Sequence, residues 1–468
     1  MHAEAVEDPN NLSREELLQI IREQQRVIER LKTEIERLKR KLSAAPFAKA
    51  TRQKNPKRPG RKPGQGRFAC RAAPSAGALA ETVRVPVEEP CCPYCGGPLE
   101  APEEELVSNT DLPEQPPPEV QIFLVEVRHC ERCGKTVRGR HPAVAADQYG
   151  ATAHRVGARA KAVMHTLHYG LGVPQRKVPR ILKELSGLEI TQGALSQDAQ
   201  KQTAGAVGAA YQQLRTEIRQ APVVHTDDTG WRVGGESAQL MVFTTPQITV
   251  YQVRPQHRNE EVREVIGDDF QGVLACDRGK SYDAKELQEV KQQKCLSHIL
   301  RSIDKVLETK HGGARFFGAV LKAQLQEAIE LYKAFHNPES KLRAYDRYVR
   351  ALELEVSYHL RPRELKDADN QRLREEVGRH HERGNLLRFL HEPTTVEPTN
   401  NAAERALRPA VIARKVSQCS KNERGASAFS AFKSVICTLK KSGGDVLEKL
   451  TRLIDPSPPP ETASAAAT

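Results

Sequence analysis

The sequence predicts a multidomain α+β protein, and three features lead to that expectation. The 468 residues exceed what one hydrophobic core usually serves, so the chain should divide into about three compact units. Apolar residues at heptad spacing open the chain, and two Cys-x-x-Cys pairs follow. The remainder combines short apolar strand patterns that end in acids with long helical patterns.

Composition restricts the class of protein. With 38% hydrophobic residues and a net charge of +12, the chain has no segment near the roughly 18 uncharged apolar residues of a membrane span. The N-terminal MHAEAVEDPN is acidic and lacks an apolar core, so we expect no signal peptide. A cytoplasmic location follows as an expectation, with the ten cysteines reduced.

Residues 1–45 are predicted to form a coiled-coil dimerisation helix. Its apolar residues recur in a heptad pattern with Ile at a and Leu at d, a combination that favours parallel dimers; they are Leu17, Ile21, Ile28, Leu31, Ile35, Leu38 and Leu42. A single amphipathic helix docked on its own domain is the alternative.

Residues 46–80 are expected to be a basic, disordered linker. From Lys49 to Arg67 there are eight cations and no acid, and Pro and Gly oppose helix and strand. Arg58, Arg61 and Lys62 could enter a narrow A·T-rich minor groove of DNA. A solvated linker, or phosphate attraction without sequence reading, explains the composition equally well.

Residues 81–145 contain a predicted four-thiolate zinc site. Cys92 and Cys95 form one Cys-x-x-Cys pair and Cys130 and Cys133 the other, each followed by glycine, which suits one tetrahedral structural Zn²⁺. The alternating segment VQIFLVEV between them is predicted to be a strand of the connecting hairpin. A redox pair would explain only one of the two motifs, and Cys91 is an alternative ligand.

Residues 146–220 read as helical. The segment VPQRKVPRILKELSGLEITQGALSQDAQ predicts a helix, a turn at Gly187 and a second helix capped by Thr191. This arrangement resembles a DNA-binding helix-turn-helix, although such helix pairs also serve plain packing roles.

Acids follow short apolar strands in residues 221–301. A strand from Pro222 to His225 should end in Asp227 and Asp228 before a Thr-Gly turn, and a strand from Gly272 to Cys276 should deliver Asp277. With ITVYQVR as a further strand, this is the order expected of a ribonuclease-H-like sheet, where carboxylates at strand ends share metal ions. Taken singly, each aspartate could be a turn former.

A helix follows a long helical insertion. Residues 302–395, including FFGAVLKAQLQEAIELYKAF, show one apolar face and separate the first part of the core from residues 396–452. There EPTNNAAERALRP predicts a helix with Glu404 in its first turns, and local sequence favours a capping box from Asn401 to Glu404. Residues 453–468 should be disordered.

Four segments together resemble the signatures of the insertion-sequence-66 (IS66) transposase family: HTDDTGWRV, GVLACDRGKSYDA, KCLSHILR and EPTNNAAERALRP. The resemblance implies a catalytic set of Asp227, Asp277 and Glu404 holding two Mg²⁺ or Mn²⁺ ions. Asp228 stands where the family usually has Glu, and since strand neighbours point to opposite faces, we choose Asp227 as the ligand. His298 and Arg301 of KCLSHILR are left outside the catalytic core.

The resemblance further implies a bacterial DNA transposase that cuts element ends with water and then joins the 3′-hydroxyl to target DNA. Double-stranded DNA, a second copy of the chain and accessory proteins of the same element are the expected partners, with Arg405 and Arg408 near DNA phosphate and the protein at the nucleoid when bound. A catalytically inactive zinc-ribbon DNA-binding protein and a metal-dependent nuclease that does not join ends are the alternatives.

Overall fold

A computed structural model of the chain describes residues 90–91, 93–98, 118–144, 147–150, 153–337, 345–417 and 419–455. The predicted coiled coil, the basic linker with Arg58, Arg61 and Lys62, the first zinc ligand Cys92 and the predicted tail after residue 455 lie outside the described residues.

The described residues form a mixed α+β structure, as predicted. The strands are β1 Val127–His129, β2 Thr136–Arg138, β3 Val223–Val233, β4 Glu236–Thr244, β5 Thr249–Arg254, β6 Val273–Cys276 and β7 Lys291–Lys294. The helices are α1 Ala158–His165, α2 Val178–Ser186, α3 Gln192–Ala204, α4 Ala206–Glu217, α5 Asn259–Ile266, α6 Leu296–Thr309, α7 Gly313–His336, α8 Tyr345–Leu360, α9 Ala368–Glu382, α10 Arg388–His391, α11 Asn401–Ser417, α12 Glu423–Lys441 and α13 Val446–Ile454.

Strands β3 to β7 form one five-stranded sheet in the order β5-β4-β3-β6-β7. Within this sheet β4 pairs antiparallel with both β3 and β5, whereas β6 pairs parallel with both β3 and β7. Parallel neighbours require a crossover connection, and α5 lies in the segment between β5 and β6. The C-terminal ends of β3, β6 and β7 therefore point in the same direction.

Both faces of the sheet are covered, because side chains alternate between faces along each strand. Val224 and Leu274 belong to a buried cluster that includes residues of α1, α3 to α5 and α11 to α13. Their neighbours Val223 and Val273 belong to a second cluster with α6 to α10. The sheet is therefore the middle layer of three.

The layer formed by α6 to α10 covers the segment predicted to be a helical insertion, and the described part of that segment is largely helical. Phe317, Leu321, Leu325 and Ile329 of α7 are buried, as their spacing indicated. The first helix of this layer, α6, begins at Leu296, so the helical region starts several residues before the expected boundary at residue 302.

The pair of helices predicted in residues 173–200 is also present. Gly187 follows α2 with a φ of 67°, a left-handed conformation that glycine adopts without strain. The Thr191 side chain accepts a hydrogen bond from the Ala194 amide at 3.1 Å and caps α3. Leu182 and Leu195 meet in a small separate cluster.

Two strand expectations were wrong. Strand β3 does not end at His225 but continues through Asp227 and Asp228 to Val233, because β4 pairs with it over residues 225–233. In the cysteine-rich region only Val127 of VQIFLVEV lies in a strand, and the preceding residues from 120 are largely exposed and carry no strand pairing in the described structure.

Among the described residues, no helix combines the length and apolar character required to cross a bilayer.

Candidate active site

Asp227 and Asp277 lie side by side at the end of the parallel part of the sheet. Strands β3 and β6 pair Val223 with Val273 and His225 with Ala275, and the same register continued by two residues places Asp227 beside Asp277. Residues in register on parallel strands share a face, and neighbouring strands are about 4.8 Å apart. Asp277 is the first residue after β6, and its Oδ1 accepts a 2.8 Å hydrogen bond from the Gly279 amide.

Asp228 has a different environment from Asp227. Its Oδ1 lies 3.0 Å from Nδ1 of His257, a residue of the loop before α5, and the His257 ring packs edge-on against Tyr282 with 5.2 Å between centroids. Tyr282 and Val224 both belong to the first cluster, on the face opposite to Val223 and Val273. The two neighbouring aspartates therefore point to different sides of the sheet.

Glu404 is brought to this edge by the start of α11, which Asn400 fastens to β3. Asn400 is fully buried; its Nδ2 donates to the Thr226 carbonyl at 2.6 Å, and its Oδ1 lies 3.3 Å from Nδ1 of His225. The Asn400 amide also donates to the Cys295 sulfur at 3.2 Å. The first turn of α11, with Glu404, is thus tied both to the strand that carries Asp227 and to the residue that precedes α6.

The Glu404 carboxylate contacts α6. Its Oε1 lies 3.3 Å from Arg301 Nη2 and 3.9 Å from His298 Nε2. The sequence analysis leaves both partners outside the catalytic core. Three residues apart on a helix, they share one face, and a helical reading of KCLSHILR would have placed them together.

The pKa of Asp227 reflects both its burial and the neighbouring acids. Burial raises the pKa of Asp227 to about 7, and the charges of Asp228, Asp277 and Glu404 add to that rise, whereas the Asp228 amide opposes it. A nearby cation stabilises the ionised form of a buried carboxylate that lies among like charges. The oxygen-only donor set of Asp227, Asp277 and Glu404 suits Mg²⁺ or Mn²⁺, but among the described residues their carboxylate oxygens do not all lie within 4.8 Å of one another, so this metal site stays a prediction.

Buried polar contacts hold the strand that precedes Asp277. Lys294 on β7 is fully buried, and its Nζ lies 3.0 Å from Asp283 and 3.6 Å from the Cys276 sulfur. Arg278, directly after Asp277, pairs with Glu376 of α9 at 2.9 Å. The sequence analysis does not predict these contacts or the role of Asn400, because the residues that meet are distant along the chain.

The second predicted zinc knuckle forms a turn between β1 and β2. The Gly134 amide donates to the Cys130 carbonyl at 2.8 Å, and both Gly96 and Gly134 have positive φ values, as the motif required. Hydrogen bonding from the Cys133 backbone lowers the pKa of the Cys130 thiol. Among the described residues, the sulfur atoms of Cys95, Cys130 and Cys133 do not all lie within 4.8 Å of one another, so the zinc site stays a prediction.

The cations after Glu404 divide into two kinds. Arg405 and Arg408 are exposed on α11 and available to a ligand in solution. Arg414 instead donates to Thr229 Oγ1 at 3.0 Å and to the Gly230 carbonyl, so it fastens α11 to β3. The predicted contact of Arg405 and Arg408 with DNA remains a prediction.

Comparison with known protein families supports the resemblance seen in the sequence. The model described as Transposase IS66 family matches residues 154–428, which is more than half of the 468 residues and contains Asp227, Asp277 and Glu404. No curated protein matches the sequence significantly.

Proposed function

The chain belongs to the IS66 family of transposases, and from this premise we propose that it cleaves the ends of an insertion sequence and joins them to target DNA. Asp227, Asp277 and Glu404 would hold two Mg²⁺ or Mn²⁺ ions. Membership in a transposase family implies DNA binding and DNA transfer; the residue assignments are our inference. We further infer a cytoplasmic protein in which a coiled coil and one Zn²⁺ held by Cys92, Cys95, Cys130 and Cys133 support dimerisation and DNA binding.

The observation that carries the assignment is the convergence of three carboxylates from separate parts of the chain. The β3–β6 register, continued two residues beyond the last pair, supports a position of Asp227 beside Asp277, and the Asn400 contacts tie the start of α11 to β3 and to Cys295. The order of the sheet, with three antiparallel strands followed by two parallel ones, supports a ribonuclease-H-like core.

When bound, the ions would polarise the scissile phosphate and stabilise charge on the attacking and leaving oxygens. The protein residues supply position and charge. Asp227 accepts the amide of Asp228 at 3.0 Å and Asp277 accepts that of Gly279, so both carboxylates are oriented before metal arrives. Arg301 beside Glu404 is 52% exposed and can turn toward a phosphate.

A strand-transfer assay with labelled element ends tests the proposal. Asp277→Asn should abolish cleavage and joining while leaving binding to the ends intact, because the change removes a metal-binding charge and little volume. Asp268→Asn is a matched control, since Asp268 is an exposed acid that pairs only with Arg263 in the described structure. Undiminished cutting by Asp277→Asn would contradict the proposal.

Two other outcomes of the same assay would indicate the alternative functions. Nicked ends without joined product would indicate a nuclease, whereas tight binding of the ends with no reaction in Mg²⁺ or Mn²⁺ would indicate an inactive DNA-binding protein.

A further inference from the structure

A second group of metal-ligating side chains lies beside the three carboxylates. One ligand atom each from Cys295, His298 and Glu404 lies within 4.8 Å of the other two, and no other such trio occurs within the described ranges. We propose that these residues bind a zinc-class divalent cation, and that this ion competes with Mg²⁺ for Glu404.

The Cys295 sulfur is already surrounded by hydrogen-bond donors. Cys295 is buried immediately before α6, and the amide of Asn400 donates to its sulfur at 3.2 Å. Burial raises the pKa of the thiol, while the amides of Asn400, His298 and Ser297 oppose that rise. Amides at the start of a helix stabilise a thiolate, and such second-layer hydrogen bonds orient metal ligands.

The His298 ring is available as a ligand. Its Nδ1 is buried and finds no hydrogen-bond partner among the described residues. The 3.9 Å between its Nε2 and Glu404 Oε1 exceeds a hydrogen bond.

The sulfur, nitrogen and oxygen donors of Cys295, His298 and Glu404 favour a different ion from the one that the three carboxylates favour. Sulfur and imidazole ligands favour Zn²⁺ or Co²⁺, whereas oxygen-only sites suit Mg²⁺. Three protein ligands leave one position for water in a tetrahedral zinc site.

Glu404 connects the two sets. The Arg301 guanidinium lies 3.3 Å from Glu404 and supplies a positive charge beside its carboxylate. Because Arg301 is half-exposed, its side chain can move away when an ion binds. When Glu404 binds an ion together with Cys295 and His298, its carboxylate can no longer bind an ion together with Asp227 and Asp277. The competition with Mg²⁺ rests on the proposed function, whereas the binding site itself does not.

Cobalt binding to the full-length protein tests the site. Co²⁺ bound to a thiolate absorbs in the near ultraviolet, so a titration reports both stoichiometry and sulfur ligation. We expect the wild type to bind one more ion than Cys295→Ser or His298→Gln. Cys437→Ser, a half-buried cysteine outside the trio, is the matched control and should bind as the wild type does. Ions held by the Cys92–Cys133 region contribute equally to all four proteins.

Equal stoichiometry in all four proteins would overturn the site. His298→Gln, a change at a partly exposed residue, decides the question if Cys295→Ser does not fold. In Mg²⁺-dependent cleavage, half-inhibition of Cys295→Ser should require roughly tenfold more Zn²⁺ than that of the wild type; equal sensitivity would overturn the competition. If the wild type does not cleave at all, the proposed function fails and the cobalt stoichiometry still decides the site.

Discussion

The imidazole Nδ1 of His257 lies 3.0 Å from the Oδ1 of Asp228, and this pair separates Asp228 from its neighbour Asp227. Asp228 is satisfied by a basic partner on one side of the sheet. The charges of Asp277 and Glu404 instead contribute to the raised pKa of Asp227. The arrangement favours Asp227 as the first carboxylate of the metal site.

Substitution of the two neighbours should therefore have unequal effects. Asp227→Asn should lower Mg²⁺-dependent cleavage by roughly 10³-fold or more, because metal ions supply several kcal/mol of charge stabilisation. Asp228→Asn should lower cleavage by less than about tenfold, since it alters only a partly exposed contact with His257. Initial rates with labelled ends measure both. A greater loss in Asp228→Asn would move the assignment to Asp228.

Metal affinity should depend on pH through Asp227. Its pKa of about 7 in the metal-free protein means that Mg²⁺ must displace a proton at lower pH. We expect the affinity for Mg²⁺ to be nearly constant above about pH 8 and to fall by up to about tenfold per pH unit below about pH 6. Calorimetric titrations at several pH values measure this. In Asp227→Asn this dependence should disappear; its persistence would implicate another group.

The same buried charge should reduce stability in the absence of metal. The folded-state pKa of Asp227 lies above its ordinary value of 3.8, so the folded protein binds the proton more tightly. The free energy of unfolding should fall as pH rises from about 4 to about 7 and stay reduced above that range. With EDTA near pH 8, Asp227→Asn should stabilise the protein by on the order of 1–3 kcal/mol, while Asp268→Asn should not. Thermal unfolding measures the difference, and a lower melting temperature for Asp227→Asn would contradict it.

Asn400→Ala should disturb both stability and the position of Glu404. It leaves the buried Thr226 carbonyl without the 2.6 Å hydrogen bond from Asn400, at a cost of about 1–3 kcal/mol. Asn422→Ala is a matched control, because Asn422 caps α12 through the Gly425 amide at 2.9 Å and its loss costs about 1 kcal/mol. We expect cleavage to fall much further in Asn400→Ala at a temperature where both variants are folded. Equal cleavage would show that Asn400 does not position Glu404.

Gly272→Ala should destabilise the protein just before β6. An added Cβ would lie 2.4 Å from the Ala221 carbonyl oxygen and 2.9 Å from that of Pro222, and neither backbone atom can move freely. We expect a loss of about 1–3 kcal/mol or more in chemical denaturation. Gly157→Ala is the control, since its added Cβ meets nothing within 4 Å. Similar midpoints for the two variants would contradict this prediction.

Local patterns were sufficient where a segment has one dominant preference. The run of apolar residues before Asp277 predicted β6, and the apolar stripe of residues 317–329 predicted α7. The turn expected at Thr229–Gly230, after Asp227 and Asp228, was wrong. Asp and Gly favour turns in isolation, whereas nine residues of pairing with β4 stabilise an extended strand. Context overrides local preference in sheets.

By itself the sequence determined the α+β class, the family, and the positions of Asp277 and Glu404 on their elements. Only the tertiary structure decided how the residues meet: Asp227 beside Asp277 through the β3–β6 register, Asp228 on His257, and Glu404 held near α6 by Asn400. These relationships join residues that are distant along the chain. Their geometry depends on strand register and on contacts with buried backbone groups, which leave no periodic pattern in the sequence.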